Sequence, residues 1–178
     1  MDVYRIGYRL YATNPLDGEG SFLFGGRWSS VGTRMAYTST TLSLAMAEFL
    51  AHVNVDDFDA DTPPSLFYLT ATIPDSSIRT LEQIGVELPS GWDLVPAPDN
   101  DAVVGDEWIR SGTSLALVVP SVHIPIATPE RNVLINPAHR NFVRVVMSLD
   151  DFAYDKRLVR ARAQASAQSS RRKVAPSW

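Results

Sequence analysis

The chain has 178 residues, a formal net charge of -4, 45% hydrophobic content and no cysteine, which reads as one globular domain with a single core. The lack of cysteine excludes disulfides, thiol catalysis and cysteine-based zinc sites, and His52, His123 and His139 are too scattered to offer metal-ligand spacing, so no metal is expected. No apolar run approaches the roughly 20 residues that span a bilayer, and residues 1–10 lack the layout of a signal peptide, so a cytoplasmic protein with no membrane partner is expected.

In chain order, residues 3–12 read as a strand, and residues 14–26, with Pro15, Gly18, Gly20, Gly25 and Gly26, read as a loop long enough to line a site. Gly25-Gly26-Arg27-Trp28 stands out within it. Two successive glycines permit close backbone approach to a ligand, and Arg27 supplies a planar fork of donors suited to phosphate or carboxylate beside the Trp28 ring. A plain turn with a surface arginine and a half-buried tryptophan fits the same tetrapeptide. Residues 34–39 read as a brief strand, after which Thr40 or Thr41 can cap a helix running to about Val53. Leu42, Met46, Phe49 and Val53 recur at helical spacing and predict its core face. Glu48 then falls on a flank with Thr41, Ala45 and His52, where small neighbours predict an open surface.

The acidic run 56–61, closed by Pro63 and Pro64, reads as a loop, and residues 66–73 alternate as a strand that Pro74 ends. A helix or irregular segment is expected next, then a loop over 89–100 containing Trp92, with Asp101 as the cap of a helix through Trp108 to Gly112. The continuous apolar run 115–119 predicts a strand buried on both faces that stops at Pro120 and Ser121. Residues 132–137 read as a strand-like piece and turn, residues 142–149 as another strand, and the fold is expected to finish near Leu158. Strands interspersed with a few helices predict an α+β domain over 1–158. Residues 159–178 carry Arg160, Arg162, Arg171, Arg172 and Lys173 without an acid, and read as a basic, flexible tail or short exposed helix, with or without a partner.

There is no Gly-Lys-Ser/Thr after the glycines, no Gly-x-Ser-x-Gly and no His-Glu-x-x-His, which argues against P-loop hydrolysis, serine hydrolysis and zinc proteolysis. Arg27, Trp28, Tyr37, Glu48 and Ser121 remain, each with an ordinary structural alternative: a surface ion pair, core rings, a helix pair with His52, a turn cap. Their order and setting are more informative. Arg5, Gly25-Gly26-Arg27-Trp28, Tyr37-Thr38-Ser39, Leu44-Ala45 with Glu48, Gly105-Asp106-Glu107-Trp108, Val119-Pro120-Ser121, Asn132, Asn136-Pro137-Ala138-His139, Asp155 and Arg157-Leu158 together resemble the RES domain family, named for its arginine, glutamate and serine.

The resemblance implies a single α+β domain, with a central mixed or antiparallel sheet and flanking helices, similar to ADP-ribosyltransferases. It implies a toxin of a bacterial toxin-antitoxin pair that consumes NAD⁺ as substrate, without a cofactor, phosphate being a possible co-substrate. It further implies a hetero-oligomer with an Xre-type helix-turn-helix antitoxin, through which alone DNA would be met. The family arginine falls on Arg27, its tyrosine on Tyr37, its glutamate on Glu48 and its serine on Ser121. By this resemblance Glu48 stabilises the positive charge that builds on ribose, Arg27 pairs with pyrophosphate, Tyr37 and Trp28 present ring faces, and Ser121 holds a ribose hydroxyl or the carboxamide. Asn132 is counted with the binding residues, while for Arg5 a structural ion pair ranks above a ligand contact. The acceptor stays open among water, phosphate and a protein. An RNA-directed protein using Arg27, Trp28 and the basic tail is an alternative, against which the acidic body argues; an inactive binding module is another.

Overall fold

The computed structural model describes residues 1–53, 64–153 and 155. The expected acidic loop over 56–61, the basic tail, and Arg157 and Leu158 lie outside the described residues. Among the described residues seven strands, β1 (Asp2–Tyr8), β2 (Ala36–Ser39), β3 (Leu66–Thr72), β4 (Ile78–Thr80), β5 (Ala116–Val119), β6 (Asn132–Ile135) and β7 (Val146–Phe152), join in one sheet ordered β4-β5-β6-β2-β1-β3-β7. Only β4 and β5 pair in parallel. Among the described residues three α-helices, α1 (Glu19–Phe24), α2 (Leu42–His52) and α3 (Asp99–Ser111), accompany the sheet, giving the α+β architecture that strands interspersed with helices predicted.

Strands β5 and β6 are buried almost throughout because both faces are covered. Val3, Ala36, Phe67, Leu69, Ala116, Val133 and Ile135 form one cluster, and Trp28, Met35, Trp108, Leu117, Val119 and Leu134 form another. Ile6, Ala45 and Leu66 make a third, against which Leu42, Met46 and Phe49 of α2 pack. The predicted apolar stripe of α2 thus faces the sheet, but its most buried members are Leu44 and Ala45. The flank expected to be open is closed at Ala45, whose small side chain lets the helix approach β1, and opens only beyond it at Glu48.

Other expectations need correction at the element level. The glycine-rich stretch contains α1, which forms because Ser21 Oγ donates to the carbonyls of Gly18 and Thr33 and accepts from Met35 N–H; long-range anchoring outweighs poor helix propensity. The segment after Pro74 contains β4, three residues long and too short to show a period. Residues 142–144 form a 3-10 turn and β7 begins only at Val146. Asp101 caps nothing: Pro98 precedes α3, and Asp101 lies inside its first turn, buried.

Candidate active site

The sheet register builds the site. Ser39 ends β2, Asn132 starts β6 and Val119 ends β5, and the three stand side by side across neighbouring strands. Ser39 Oγ donates to Asn132 Oδ1 at 2.9 Å. The chain leaving β2 turns at once into α2, whose N-cap Thr41 accepts from Leu44 N–H at 3.1 Å and donates to Glu130 Oε1 at 3.1 Å. Thr40 and Arg131 clasp the same corner through two hydrogen bonds of 2.9 Å. This return of the helix over the strand ends carries Glu48 above Asn132.

Glu48 Oε1 accepts from Ser121 Oγ at 2.7 Å and from Asn132 Nδ2 at 2.5 Å. Ser121 and Asn132 are buried, whereas the Glu48 side chain keeps 24% of its surface exposed. Ser121 Oγ also accepts from His123 N–H at 3.0 Å, which folds the segment after β5 back on itself. Three residues singled out in the sequence, Glu48, Ser121 and Asn132, therefore form one hydrogen-bonded group. A cleft of about 420 Å³ runs beside it, lined by Trp92, Asp93, Ser121, His123 and Pro125 among others.

Arg27, Trp28 and Tyr37 form a second group. Gly26 and Ser29 pair across a tight turn, with N–H···O bonds of 2.8 and 3.2 Å, that carries Arg27 and Trp28 at its tip. The Tyr37 hydroxyl props this turn, accepting from Trp28 N–H at 3.1 Å and bonding Ser29 Oγ at 2.9 Å. A Cβ on Gly26 would stand 2.7 Å from the Tyr37 hydroxyl oxygen. The close approach that this glycine permits is to Tyr37. Burial, the largest influence, pushes the Tyr37 pKa up to about 12.

The ligand-facing ring expected of Trp28 is corrected: the side chain is 1% exposed, buried beneath the turn and stacked on Trp92 with centroids 6.4 Å apart. Arg27 points inward as well. Its Nη1 donates to the Trp92 carbonyl and, at 3.1 Å, to Asp101 Oδ2, and its Nη2 donates to the Leu94 carbonyl at 2.9 Å. The Arg27 side chain is 16% exposed and that of Asp101 is fully buried. Burial pushes the Asp101 carboxyl pKa up, with Arg27 opposing the shift. A pyrophosphate would compete with these acceptors for the same fork.

Trp92 joins the two groups, since it stacks on Trp28, takes a hydrogen bond from Arg27 and lines the cleft beside Ser121. Sequence reasoning left it as one residue of a loop. The helix pair of Glu48 with His52 is present, at 3.9 Å from Oε2, but His123, far away in the chain, also reaches Oε2, at 3.4 Å; the histidines are scattered in sequence but two of the three converge in space. The i to i+4 step from Glu48 to His52 was the available signal for one of them. Arg5 takes a structural place, donating to the Tyr37 carbonyl at 3.3 Å, with burial lowering its pKa.

The RES domain family matches residues 2–157. A Yersinia enterocolitica protein named Toxin Res is 36% identical over 160 residues, covering 89% of this chain and 99% of that one. A Sphingobium protein named Prs ADP-ribosylating toxin is 32% identical over 154 residues, covering 85% of this chain and 91% of that one. The fold is also similar to that of a chain in the crystal structure of the M. tuberculosis MbcT-MbcA toxin-antitoxin complex, with a TM-score of 0.65, 15% identity, and coverage of 92% of this chain and 88% of that one. Among the described residues no helix is long and apolar enough to cross a membrane.

Proposed function

The chain belongs to the RES domain family, and from that premise we propose that it is the toxin of a bacterial toxin-antitoxin pair, acting by cleavage of the nicotinamide-ribose bond of NAD⁺. The single observation that carries the chemistry is the Glu48 carboxylate, held through Oε1 by Ser121 and Asn132, with Oε2 facing His123 and both Ser121 and His123 lining the cleft. Cleavage builds positive charge on the ribose, and an anion fixed in advance stabilises that charge without reorganising during the reaction. Two donors on one oxygen, themselves backed by Ser39 and the His123 N–H, fix this carboxylate in place. Nicotinamide departs neutral, so no strong acid is required at the leaving group. Water as acceptor gives ADP-ribose and a proton, and phosphate gives the phosphorylated sugar. Arg27 is the proposed contact for pyrophosphate, with its guanidinium oriented by Asp101 and Trp92.

The Sphingobium relative's name favours a second reading, in which a protein side chain is the acceptor. The toxin names of the relatives, and a structural neighbour solved with its antitoxin, support a cognate antitoxin as partner, here proposed to be of the Xre type and to cover the cleft. Wild type should release nicotinamide from NAD⁺, and Glu48→Gln should lose about 10² or more of the rate while keeping its thermal transition. Chromatographic assay with and without phosphate identifies the sugar product. Labelled ADP-ribose appearing on protein instead of in solution would establish the second reading, and equal rates for both proteins would remove Glu48 from the mechanism.

A further inference from the structure

Glu48 divides its oxygens between two sets of neighbours. Oε1 takes the hydrogen bonds of Ser121 and Asn132, whereas Oε2 faces His123 Nε2 at 3.4 Å and His52 Nε2 at 3.9 Å. One potential ligand atom from each of the three residues lies within 4.8 Å of those of the other two. We propose that Glu48, His52 and His123 form a binding site for a divalent cation of the zinc type, and that the cation inhibits the enzyme.

The donor set selects the metal. Two imidazoles and one carboxylate suit zinc, cobalt and nickel, whereas magnesium and calcium prefer sites made of oxygen. Tetrahedral bonds of about 2.0–2.1 Å place ligand atoms about 3.3 Å apart. The Glu48–His123 pair is already at 3.4 Å. The remaining contraction falls on His52, whose side chain is 81% exposed at the end of α2 and has room to swing inward. The rings of His52 and His123 are steeply inclined, at 81°, and do not stack across the space between them. Ser121 and Asn132 supply the outer contacts that orient a ligating carboxylate. Three protein ligands leave further positions for water.

Binding follows from this geometry alone, but inhibition rests on the proposed reaction, because a cation on Oε2 neutralises the charge intended for the ribose. The two parts separate experimentally. Full-length protein, with any affinity tag removed and treated with chelator, is titrated with Co²⁺ by visible absorption and with Zn²⁺ by calorimetry. One equivalent should bind, Zn²⁺ should displace Co²⁺, and His52→Ala and His123→Ala should each weaken binding by about tenfold or more. In the NAD⁺ assay Zn²⁺ should inhibit wild type, while His52→Ala, compared with its own rate in chelator, should lose the metal sensitivity. Absence of a cobalt band and of binding heat in wild type would overturn the site, as would unchanged affinity in both histidine variants. Metal bound through the histidines with no nicotinamide release at all would uphold the site and overturn the reaction assigned to Glu48. Zinc inhibition that persists in His52→Ala would overturn the inhibitory mechanism.

Discussion

The Tyr37 hydroxyl bonds the backbone of Trp28 and the side chain of Ser29, and burial lifts its pKa from 10.0 to about 12. A group protonated more firmly in the folded state than in the unfolded chain stabilises the fold fully below its unfolded pKa, and that contribution disappears as pH rises through the folded value. Stability should therefore fall between pH 10 and about 12 in wild type and fall less in Tyr37→Phe, as measured by urea denaturation across that range. The variant should also be weaker at neutral pH by about 1–3 kcal/mol, since the Trp28 N–H loses its acceptor. At this scale Ser121 and Asn132 were legible beside element boundaries, just past Pro120 after β5 and at the start of β6, whereas Glu48 lies inside α2 and was legible as a flank position of a capped helix. The face of each ring was not: Trp28 and Tyr37 look alike as aromatic neighbours of a glycine turn, and only the packing beneath that turn separates a buried prop from a free surface.

Among the elements, β3 and β5 follow the predicted patterns closely and α2 packs the predicted stripe against the sheet while burying Leu44 and Ala45 more deeply; Thr41, Pro74 and Pro120 mark where they start or stop. Short or tertiary-held elements escaped. Strand β4 has three residues and shows no period, while β7, exposed over most of its length at the sheet edge, is expected as a strand but with its start set four residues early. Helix α3 shows the reverse case, in which local preference misleads. Gly105 lies in its interior, where alanine is ordinarily better by about 1 kcal/mol. A Cβ there would stand 1.8 Å from the Trp28 carbonyl oxygen and 2.9 Å from Met35 Cε. Asp106, the next residue, accepts from Ser30 N–H at 3.1 Å, so the helix cannot retreat without releasing the turn. Burial alone would push the Asp106 pKa up, but hydrogen bonds from Ser30 and Thr33 and the charge of Arg110 outweigh it and hold the carboxyl below its ordinary value. Gly105→Ala should destabilise the protein by about 1–3 kcal/mol, the usual cost of overpacking. A thermal transition equal to or above that of wild type would show that α3 can shift freely.

Across the whole molecule, Arg27 reaches partners 65, 67 and 74 residues away, at Trp92, Leu94 and Asp101. No local pattern encodes such a contact, which is why a fork suited to pyrophosphate was legible in the sequence and its protein acceptors were not. The fully buried Asp101 carboxylate makes the distinction measurable. Removing one member of a buried pair leaves the other uncompensated, at a typical cost of about 3–5 kcal/mol, whereas removing both is far milder. Arg27→Ala should therefore unfold at much lower urea, and Arg27→Ala combined with Asp101→Asn should recover a substantial part of that loss, a non-additivity expected only for groups in contact. The double variant then isolates the functional role: folded but lacking the guanidinium, it should bind NAD⁺ more weakly by calorimetry if Arg27 meets the pyrophosphate. Wild-type affinity in that variant would confine Arg27 to fastening the turn to the 92–94 segment and α3. An unchanged urea midpoint for Arg27→Ala would instead show that the Asp101 pair contributes nothing to the fold.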